Sequence, residues 1–269
     1  MRRSALGIAL AAACLASAAC GGGHAATPMP VAPPDRGPAH QLGSADLRLR
    51  RALRAWHDAD PGLDSPAPAS VLRAAAADRT LIHELARSPA LARTVTRMVS
   101  PGLAATTRLE VDAAVDLRRL DGPPSGKPVR LHLANPLPAG RLLGYYRRAQ
   151  ARFGVRWQVL AAINLVESAF GRVVNRSSAG AQGPMQFLPA TWRAYGLGGN
   201  VHDARDAILG AANYLHRSGA PANERRALFA YNRSQLYVDA VLAYAREMTR
   251  DPLGYATYYA WEASLPSVL

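Results

Sequence analysis

Cysteine and lysine are almost absent from this chain of 269 residues. It has two cysteines, Cys14 and Cys20, and a single lysine, Lys127, so arginine supplies nearly all of the positive charge. The seven histidines are scattered along the chain. No group of His, Cys and carboxylate residues has the spacing of metal ligands. The sequence therefore predicts neither a metal site nor a cofactor.

Basic charge is nevertheless in excess, with a formal net charge of +13. Such a charge favours binding to polyanions, among them nucleic acid, anionic lipid and an anionic cell wall. Zinc-finger spacing, RNA-binding aromatic motifs and concentrated Lys/Arg runs are all missing, so nucleic acid ranks last as a partner. We expect the basic surface to hold the protein on a wall or membrane, with binding that weakens as salt concentration rises.

The N-terminus has the pattern of an export signal. Arg2 and Arg3 precede the apolar stretch ALGIALAAACLASAAC, residues 5–20. This stretch is too short and too rich in small residues for a membrane-spanning helix, and it is typical of a secretory signal. We therefore expect residues 1–19 to be a signal peptide and the protein to be exported to the cell envelope.

The end of this signal, SAAC followed by GGG, resembles a bacterial lipobox with Cys20 as the acylated first residue of the mature chain. Ser17 stands where lipoboxes usually carry leucine. The alternative is cleavage after HAA, residues 24–26, which would give a secreted protein. The lipoprotein is favoured because Cys20 is otherwise unexplained. Cys14 would leave with the signal, so no disulfide would form although the compartment permits one.

Composition then divides the chain into further segments. Residues 20–44 are rich in Gly, Pro and Ala and indicate a flexible tether behind the lipid anchor. Residues 45–121 have helical periodicity without a catalytic signature, which predicts a helical accessory region. Residues 122–139 form a linker in which VRLHL alternates like a short strand.

The remaining residues, 140–269, are predicted to be helical or nearly so, because no strand alternation rises above the helical pattern. Residues 140–250 contain the candidate catalytic and substrate-binding residues that are described below. Residues 251–269 form an aromatic-rich tail. Packing of this tail onto the domain is favoured over a sugar-stacking groove.

One carboxylate, Glu167, lies at the end of an apolar helical stretch, INLVESAFGR. A helix over about residues 156–170 would place it on one face with Leu160 and Asn164. The C-terminal end of a helix and apolar surroundings both disfavour a negative charge, which raises the pKa of a carboxyl. The pattern favours a general acid over the solvated surface carboxylate that a lone glutamate usually is.

A second catalytic carboxylate, which glycosidases usually need, is missing from the sequence pattern. No acidic residue occurs between Glu167 and His202. The later ones are predicted to cap or begin helices, or to lie on helix surfaces, and they are Asp203, Asp206, Glu224, Asp239 and Glu247. An enzyme with one glutamate must take its nucleophile from the substrate, and a muramic acid sugar offers its own 6-hydroxyl.

Three motifs in order resemble the catalytic domain of bacterial lytic transglycosylases. They are ES at 167–168, SSAGAQGPMQFLPATW at 177–192 with its GxxQ at 183–186, and AYN at 230–232. The resemblance covers about residues 142–248. Pro184 replaces the leucine of the family's usual GLMQ, and Arg233-Ser234 follow AYN where many members have glycine. This variant looks closest to the membrane-bound B-type branch.

The resemblance implies a mainly α, lysozyme-like fold that cleaves the MurNAc-GlcNAc β-1,4 bond of peptidoglycan glycan strands and leaves 1,6-anhydromuramic acid ends. It implies these roles: Glu167 as the only acid/base, Ser177 near the N-acetyl group, Met185 and Gln186 in the cleft wall, Tyr231 reaching Glu167 to orient it, and Asn232 supporting the sugar.

Other residues of the motifs have structural interpretations. Gly180 and Gly183 would let a loop approach a sugar closely, whereas Trp192 and Tyr195 are expected in the core, and Ser168 would only support the fold. Two alternative functions remain open. One is a muramidase of the same fold that hydrolyses with water, and the other is a glycan-binding protein without catalysis.

Overall fold

The computed structural model describes residues 37–122 and 131–265, which hold eleven helices. They are α1 (Pro38–Ala59), α2 (Ala69–Arg87), α3 (Pro89–Met98), α4 (Pro101–Asp121), α5 (Ala139–Phe153), α6 (Trp157–Ser168), α7 (Pro189–Tyr195), α8 (Ala204–Arg217), α9 (Glu224–Tyr231), α10 (Gln235–Arg250) and α11 (Gly254–Ala263). Within these ranges the only β-structure is two isolated bridges. The predicted mainly α fold is confirmed.

The expected signal peptide, Cys20 and most of the expected tether lie outside the described residues. The tether was expected to reach residue 44, but α1 begins at Pro38. Proline suits the first turn of a helix, because its fixed φ is already helical and its missing N–H is not needed there. Leu42 is 1% exposed and starts the buried stripe that continues through Leu49 and Leu53. Burial of this stripe extends the helix into the expected tether.

Helices α1 to α4 share one continuous hydrophobic core with the rest of the described chain. The most extensive contact between two helices joins α4 to α10, and α2 packs on α11. Trp56 of α1 lies against Tyr259 of α11, with ring centroids 6.2 Å apart. The accessory helices are therefore part of the fold that carries α10 and α11 and not a separate layer.

Helix α6 lies at the centre of the second half. Leu160, Ala161, Ala162 and Ile163 follow one another along the helix, and each is fully buried. A helix that is apolar on all sides must be covered on all sides, and here α5, α8, α10 and α11 pack around it. These helices fix the position of the last turn of α6.

The aromatic tail packs into the fold, as expected, through α11. Tyr255 and Tyr259 are buried, and their hydroxyls donate to the carbonyls of Ala139 at 2.8 Å and of Leu137 at 2.9 Å. Because both tyrosines are buried and hydrogen-bonded, they are not free to stack on sugars.

The described part of the expected linker, which begins at residue 131, is hydrogen-bonded to the segment that follows α6. Leu133 forms an isolated bridge with Val173, and Val174 N–H donates to the carbonyl of His132 at 3.0 Å. Residues 131–133, the described part of the alternating stretch, thus make a single bridge and not a strand.

We predict that Leu42→Ala lowers the free energy of unfolding by about 2–5 kcal/mol, because it leaves a cavity in the shared core. Leu47→Ala is the matched control on the same helix, since Leu47 is 67% exposed. That control should change the free energy by less than about 0.5 kcal/mol. Urea denaturation of both variants is the measurement, and equal small losses would show that the first turns of α1 lie outside the core.

Candidate active site

Glu167 lies in the last turn of α6 and is 8% exposed. Just beyond it the helix ends in a left-handed turn, in which Phe170 N–H donates to the carbonyl of Asn164 at 3.1 Å. Ala169 and Phe170 both have positive φ, at 53° and 60°. Such a conformation costs a non-glycine residue about 1–2 kcal/mol. The burial of Phe170, which packs edge-on to Tyr255 at 5.9 Å, offsets this strain.

The hydrogen-bond partner of Glu167 comes from the first turn of α10. The hydroxyl of Tyr237 donates to Glu167 Oε1 at 2.7 Å. Burial raises the pKa of Tyr237 well above its ordinary value, so its hydroxyl keeps the proton that it donates. Tyr237 therefore fixes the orientation of the Glu167 carboxyl.

The expectation that Tyr231 reaches Glu167 is corrected by this geometry. The hydroxyl of Tyr231 donates instead to the carbonyl of Met185 at 2.6 Å. The rings of Tyr231 and Tyr237 lie nearly parallel, at 7° and with centroids 6.5 Å apart. One tyrosine of the pair thus holds the GPMQ loop and the other holds the carboxyl. Tyr237 was missed because a tyrosine on the apolar face of α10 has the pattern of a core residue.

Burial raises the pKa of Glu167 to about 7, while the hydrogen bond from Tyr237 acts in the opposite direction. The carboxyl is therefore protonated in a large fraction of molecules near neutral pH. A group with this pKa can both donate and accept a proton without a large change in pH. The predicted direction of the pKa shift agrees with the structure.

The other acidic residues of this half have structural partners. Asp203 caps α8 by accepting from Asp206 N–H at 3.0 Å, as expected. Glu224 makes a two-bond ion pair with Arg156, and Asp239 pairs with Arg225 at 2.7 Å. Glu247 was expected on a helix surface, but it is 2% exposed, because α4 covers that side of α10.

Asn164 and Ser168 clamp the GPMQ loop onto α6. The carbonyl of Pro184 accepts from Asn164 Nδ2 at 2.7 Å and from Ser168 Oγ at 2.6 Å. The hydroxyl of the fully buried Tyr146 donates to Asn164 Oδ1 at 2.6 Å and orients that amide. The next carbonyl, that of Met185, is the one held by Tyr231. Two consecutive loop carbonyls are thus fixed from two different helices.

The loop itself has a tight backbone at Gly183. Its φ is 76°, and a Cβ there would lie 1.9 Å from the carbonyl oxygen of Val201. The approach of the Val201 carbonyl is by itself sufficient to require glycine at this position. Gly180 has a φ of 80°, and no heavy atom lies within 4 Å of a Cβ position there, so only the backbone conformation favours glycine at this residue.

Gln186 comes directly after the two fixed carbonyls, and its backbone φ is 47°. Its Nε2 donates to the carbonyl of Gly183 at 3.0 Å, while its Oε1 is buried without a hydrogen-bond partner among the described residues. An unpaired buried acceptor costs about 1–3 kcal/mol. Gln186 therefore combines a strained backbone with a buried oxygen that has no hydrogen-bond partner among the described residues.

Ser177 and Asn232 stabilise local backbone. Ser177 Oγ accepts from Ala181 N–H at 3.0 Å, and Asn232 ends α9, its N–H donating to the carbonyl of Leu228 at 2.9 Å. The hydrogen bonds connect neither residue to Glu167. Among the predicted site residues, Tyr231 bonds to Met185, whereas Glu167 bonds to Tyr237, whose ring lies parallel to that of Tyr231.

Two further properties apply to the described parts of the chain. None of their helices is both long and apolar enough to cross a membrane. Over the same ranges, no three His, Cys, Asp or Glu side chains are arranged to hold a metal ion.

Comparison with known proteins shows which family the helices around Glu167 resemble. Residues 144–252 match the family described as "Transglycosylase SLT domain". The chain is also 31% identical over 120 residues to the membrane-bound lytic murein transglycosylase F of Thiobacillus denitrificans (strain ATCC 25259 / T1). This match covers 42% of the chain and 25% of the relative, so the chain spans about a quarter of that relative's length.

No solved structure matches the chain. The matched range, 144–252, begins in α5 and ends just after α10, and it includes Glu167, the GPMQ loop and the tyrosine pair. Residues 144–252 of this chain are therefore similar to the transglycosylase SLT domain.

Proposed function

We propose that this protein is a peptidoglycan lytic transglycosylase that cleaves the MurNAc-GlcNAc β-1,4 bond and forms 1,6-anhydromuramic acid ends. The observation that carries the proposal is the buried carboxyl of Glu167, which has a pKa of about 7 and is oriented by Tyr237, inside the residues that match the SLT domain. The relative's name, a lytic murein transglycosylase, agrees with this activity.

Glu167 acts in both halves of the proposed reaction. The protonated carboxyl first donates its proton to the glycosidic oxygen, so that the C1–O bond breaks and the leaving sugar departs as an alcohol. The carboxylate then accepts the proton of the 6-hydroxyl of the same muramic acid while that oxygen bonds to C1. Glu167 ends protonated, and neither water nor a second carboxylate is consumed.

The loop that follows α6 and Asn232, which follows α9, supply the proposed substrate contacts. The side-chain amides of Gln186 and Asn232 each offer both a donor and an acceptor, as the hydroxyl and N-acetyl groups of the sugar require. Ser177 completes the proposed set of substrate-binding residues, whereas Met185, expected in the cleft wall, is fully buried and supports the loop through its carbonyl. The clamps on the carbonyls of Pro184 and Met185 keep this loop in register with Glu167.

We propose in addition that the protein is exported and anchored to the outer face of a membrane through an acylated Cys20. The relative's name includes the words membrane-bound, which agrees with such an anchor. A membrane anchor and the basic charge would both keep the domain close to the wall.

Glu167→Gln should abolish wall cleavage, with a loss of at least about 10²–10⁴-fold, because the amide can neither donate nor accept the proton. The measurement is mass spectrometry of purified peptidoglycan digested with wild type and with the variant. Wild type should release products with 1,6-anhydromuramyl ends.

The same digest separates the alternatives. Reducing ends in the wild-type products would identify a hydrolytic muramidase and reject the transglycosylase. Unchanged cleavage by Glu167→Gln would reject the acid/base assignment. Glu167→Gln should unfold at the same or a higher temperature than wild type above neutral pH, because burial penalises the carboxylate and not the amide, so a loss of activity would not reflect a loss of fold.

Tyr237→Phe should shift the alkaline limb of the pH–activity profile to higher pH. The hydrogen bond from Tyr237 lowers the pKa of Glu167, so its removal raises that pKa and keeps the acid protonated to higher pH. Turnover should also fall, because the carboxyl loses its orientation. Tyr231→Phe is the matched control, since it releases the Met185 carbonyl and should reduce turnover without moving the limb. Equal shifts in both variants would contradict the division of roles.

Cys20→Ala should move the protein from the membrane fraction to the soluble fraction of cells, because the acylated residue is removed. Cys14→Ala lies within the expected signal peptide and serves as the control that leaves the fractionation unchanged. Immunoblotting of the two fractions is the measurement. Retention of the Cys20→Ala protein on the membrane would favour a different mode of attachment.

A further inference from the structure

A buried cluster of carboxyl groups lies where the accessory helices meet the SLT domain, away from Glu167. It surrounds a small cavity between α1, α2, α4, α10 and α11. The charged residues that line this cavity are Asp46, Arg50, Asp78, Glu110, Glu247 and Asp251. Five carboxyl groups thus face one guanidinium.

Three of these carboxyls lie within ion-pair distance of an arginine. Arg50 bonds Asp46 at 2.8 Å and Asp251 at 2.6 Å. Glu247 accepts from the hydroxyl of Thr106 at 2.6 Å and lies 3.3 Å from Arg250. The available cations are therefore already engaged.

The other two carboxyls, Asp78 and Glu110, have no cation within ion-pair distance among the described residues. They are 6% and 5% exposed. Asp78 accepts one hydrogen bond, from Trp261 Nε1 at 3.0 Å. A buried carboxylate without a cation is strongly disfavoured, whereas its protonated form is tolerated.

The pKa values follow from this placement. Burial raises the pKa of Asp78 to about 7, and the charge of Asp46 adds to the effect. Burial, Asp78 and Glu247, in that order, raise the pKa of Glu110 well above its ordinary value. Nearby, the hydroxyl of the fully buried Thr107 lines the cavity without a hydrogen-bond partner in the described chain, which weakens the packing of α4 at this point.

We propose that Asp78 and Glu110 form a proton-dependent latch, which holds α1 to α4 against α10 and α11 while both carboxyls are protonated and releases these helices when they ionise. The groups facing the pair from the helices packed around it are Asp46, Arg50, Tyr244, Glu247, Arg250, Asp251 and Tyr258. The two arginines among them are bound to other carboxylates, so they do not replace the lost protons.

The latch is connected to the candidate active site through α10. Glu247 lies near one end of this helix and Tyr237 near the other, ten residues or about 15 Å away. Release of α4 would uncover the side of α10 on which α4 packs. The pH of the surroundings would then act on the helix that presents Tyr237 to Glu167.

The direction of the effect follows from the raised pKa values. The closed form binds protons that the open form, with ordinary carboxyl pKa values, releases above about pH 4. Opening is therefore suppressed in acid and favoured as pH rises. Each carboxyl should raise the opening constant by about tenfold per pH unit between its open-state and closed-state pKa values.

The test is hydrogen exchange at a series of pH values from about 5 to about 8, expressed as protection factors. Full-length Glu167→Gln serves as the parent, because Glu167 also titrates in this range and no activity is needed. Amides of α2 and α4 should lose protection by about tenfold or more per pH unit, and those of α6 should lose less. Asp78→Asn with Glu110→Gln should flatten this dependence.

Asp239→Asn is the matched control, because Asp239 is an exposed acid on α10 that is paired with Arg225, and it should keep the parent's slope. Should the double variant not fold, Asp78→Asn alone should remove about one tenfold step per pH unit. A flat parent, an equally steep loss in α6, or an unchanged slope in the double variant would overturn the latch. Calcium chloride that restores protection at high pH, reversibly with EDTA, would overturn it in favour of a cation site.

Discussion

The complete burial of α6 is the constraint on which the rest of the structure depends. A helix that is apolar on every side has to be enclosed, and α5, α8, α10 and α11 enclose it. Glu167 is carried into this environment at the end of the helix. The same packing that stabilises the fold therefore raises the pKa of the carboxyl to about 7 and leaves it a single hydrogen-bond donor, Tyr237.

Helix α10 connects the two halves of the molecule. Its first turn presents Tyr237 to Glu167, and its last turns carry Glu247 against α4. The accessory helices thus contact the helix that orients the carboxyl, although none of their residues was assigned a catalytic motif. The proposed latch would give this contact a dependence on protons that an apolar junction would lack.

Some errors of the sequence analysis share one cause, which is that periodicity identifies a buried face without identifying what covers it. Tyr231 was assigned to Glu167 because it lies in the AYN motif, whereas Tyr237, one turn into the next helix, makes the bond. Glu247 was placed on the surface because charged residues usually lie there, but α4 covers it. In both cases the deciding neighbour comes from a distant part of the chain.

The sequence by itself determined the helical fold, the position of Glu167 in a last helical turn, the direction of its pKa shift and the order of the three motifs. These properties depend on the spacing of residues along one helix and on the partial charge at its C-terminal end, and both can be read from residues close together in the chain. Only the tertiary structure decided which tyrosine holds Glu167, why Gly183 must be glycine, and that the accessory helices share the core with α10 and α11. Those outcomes depend on contacts between residues far apart in the chain, whose geometry is set by the packing of whole helices.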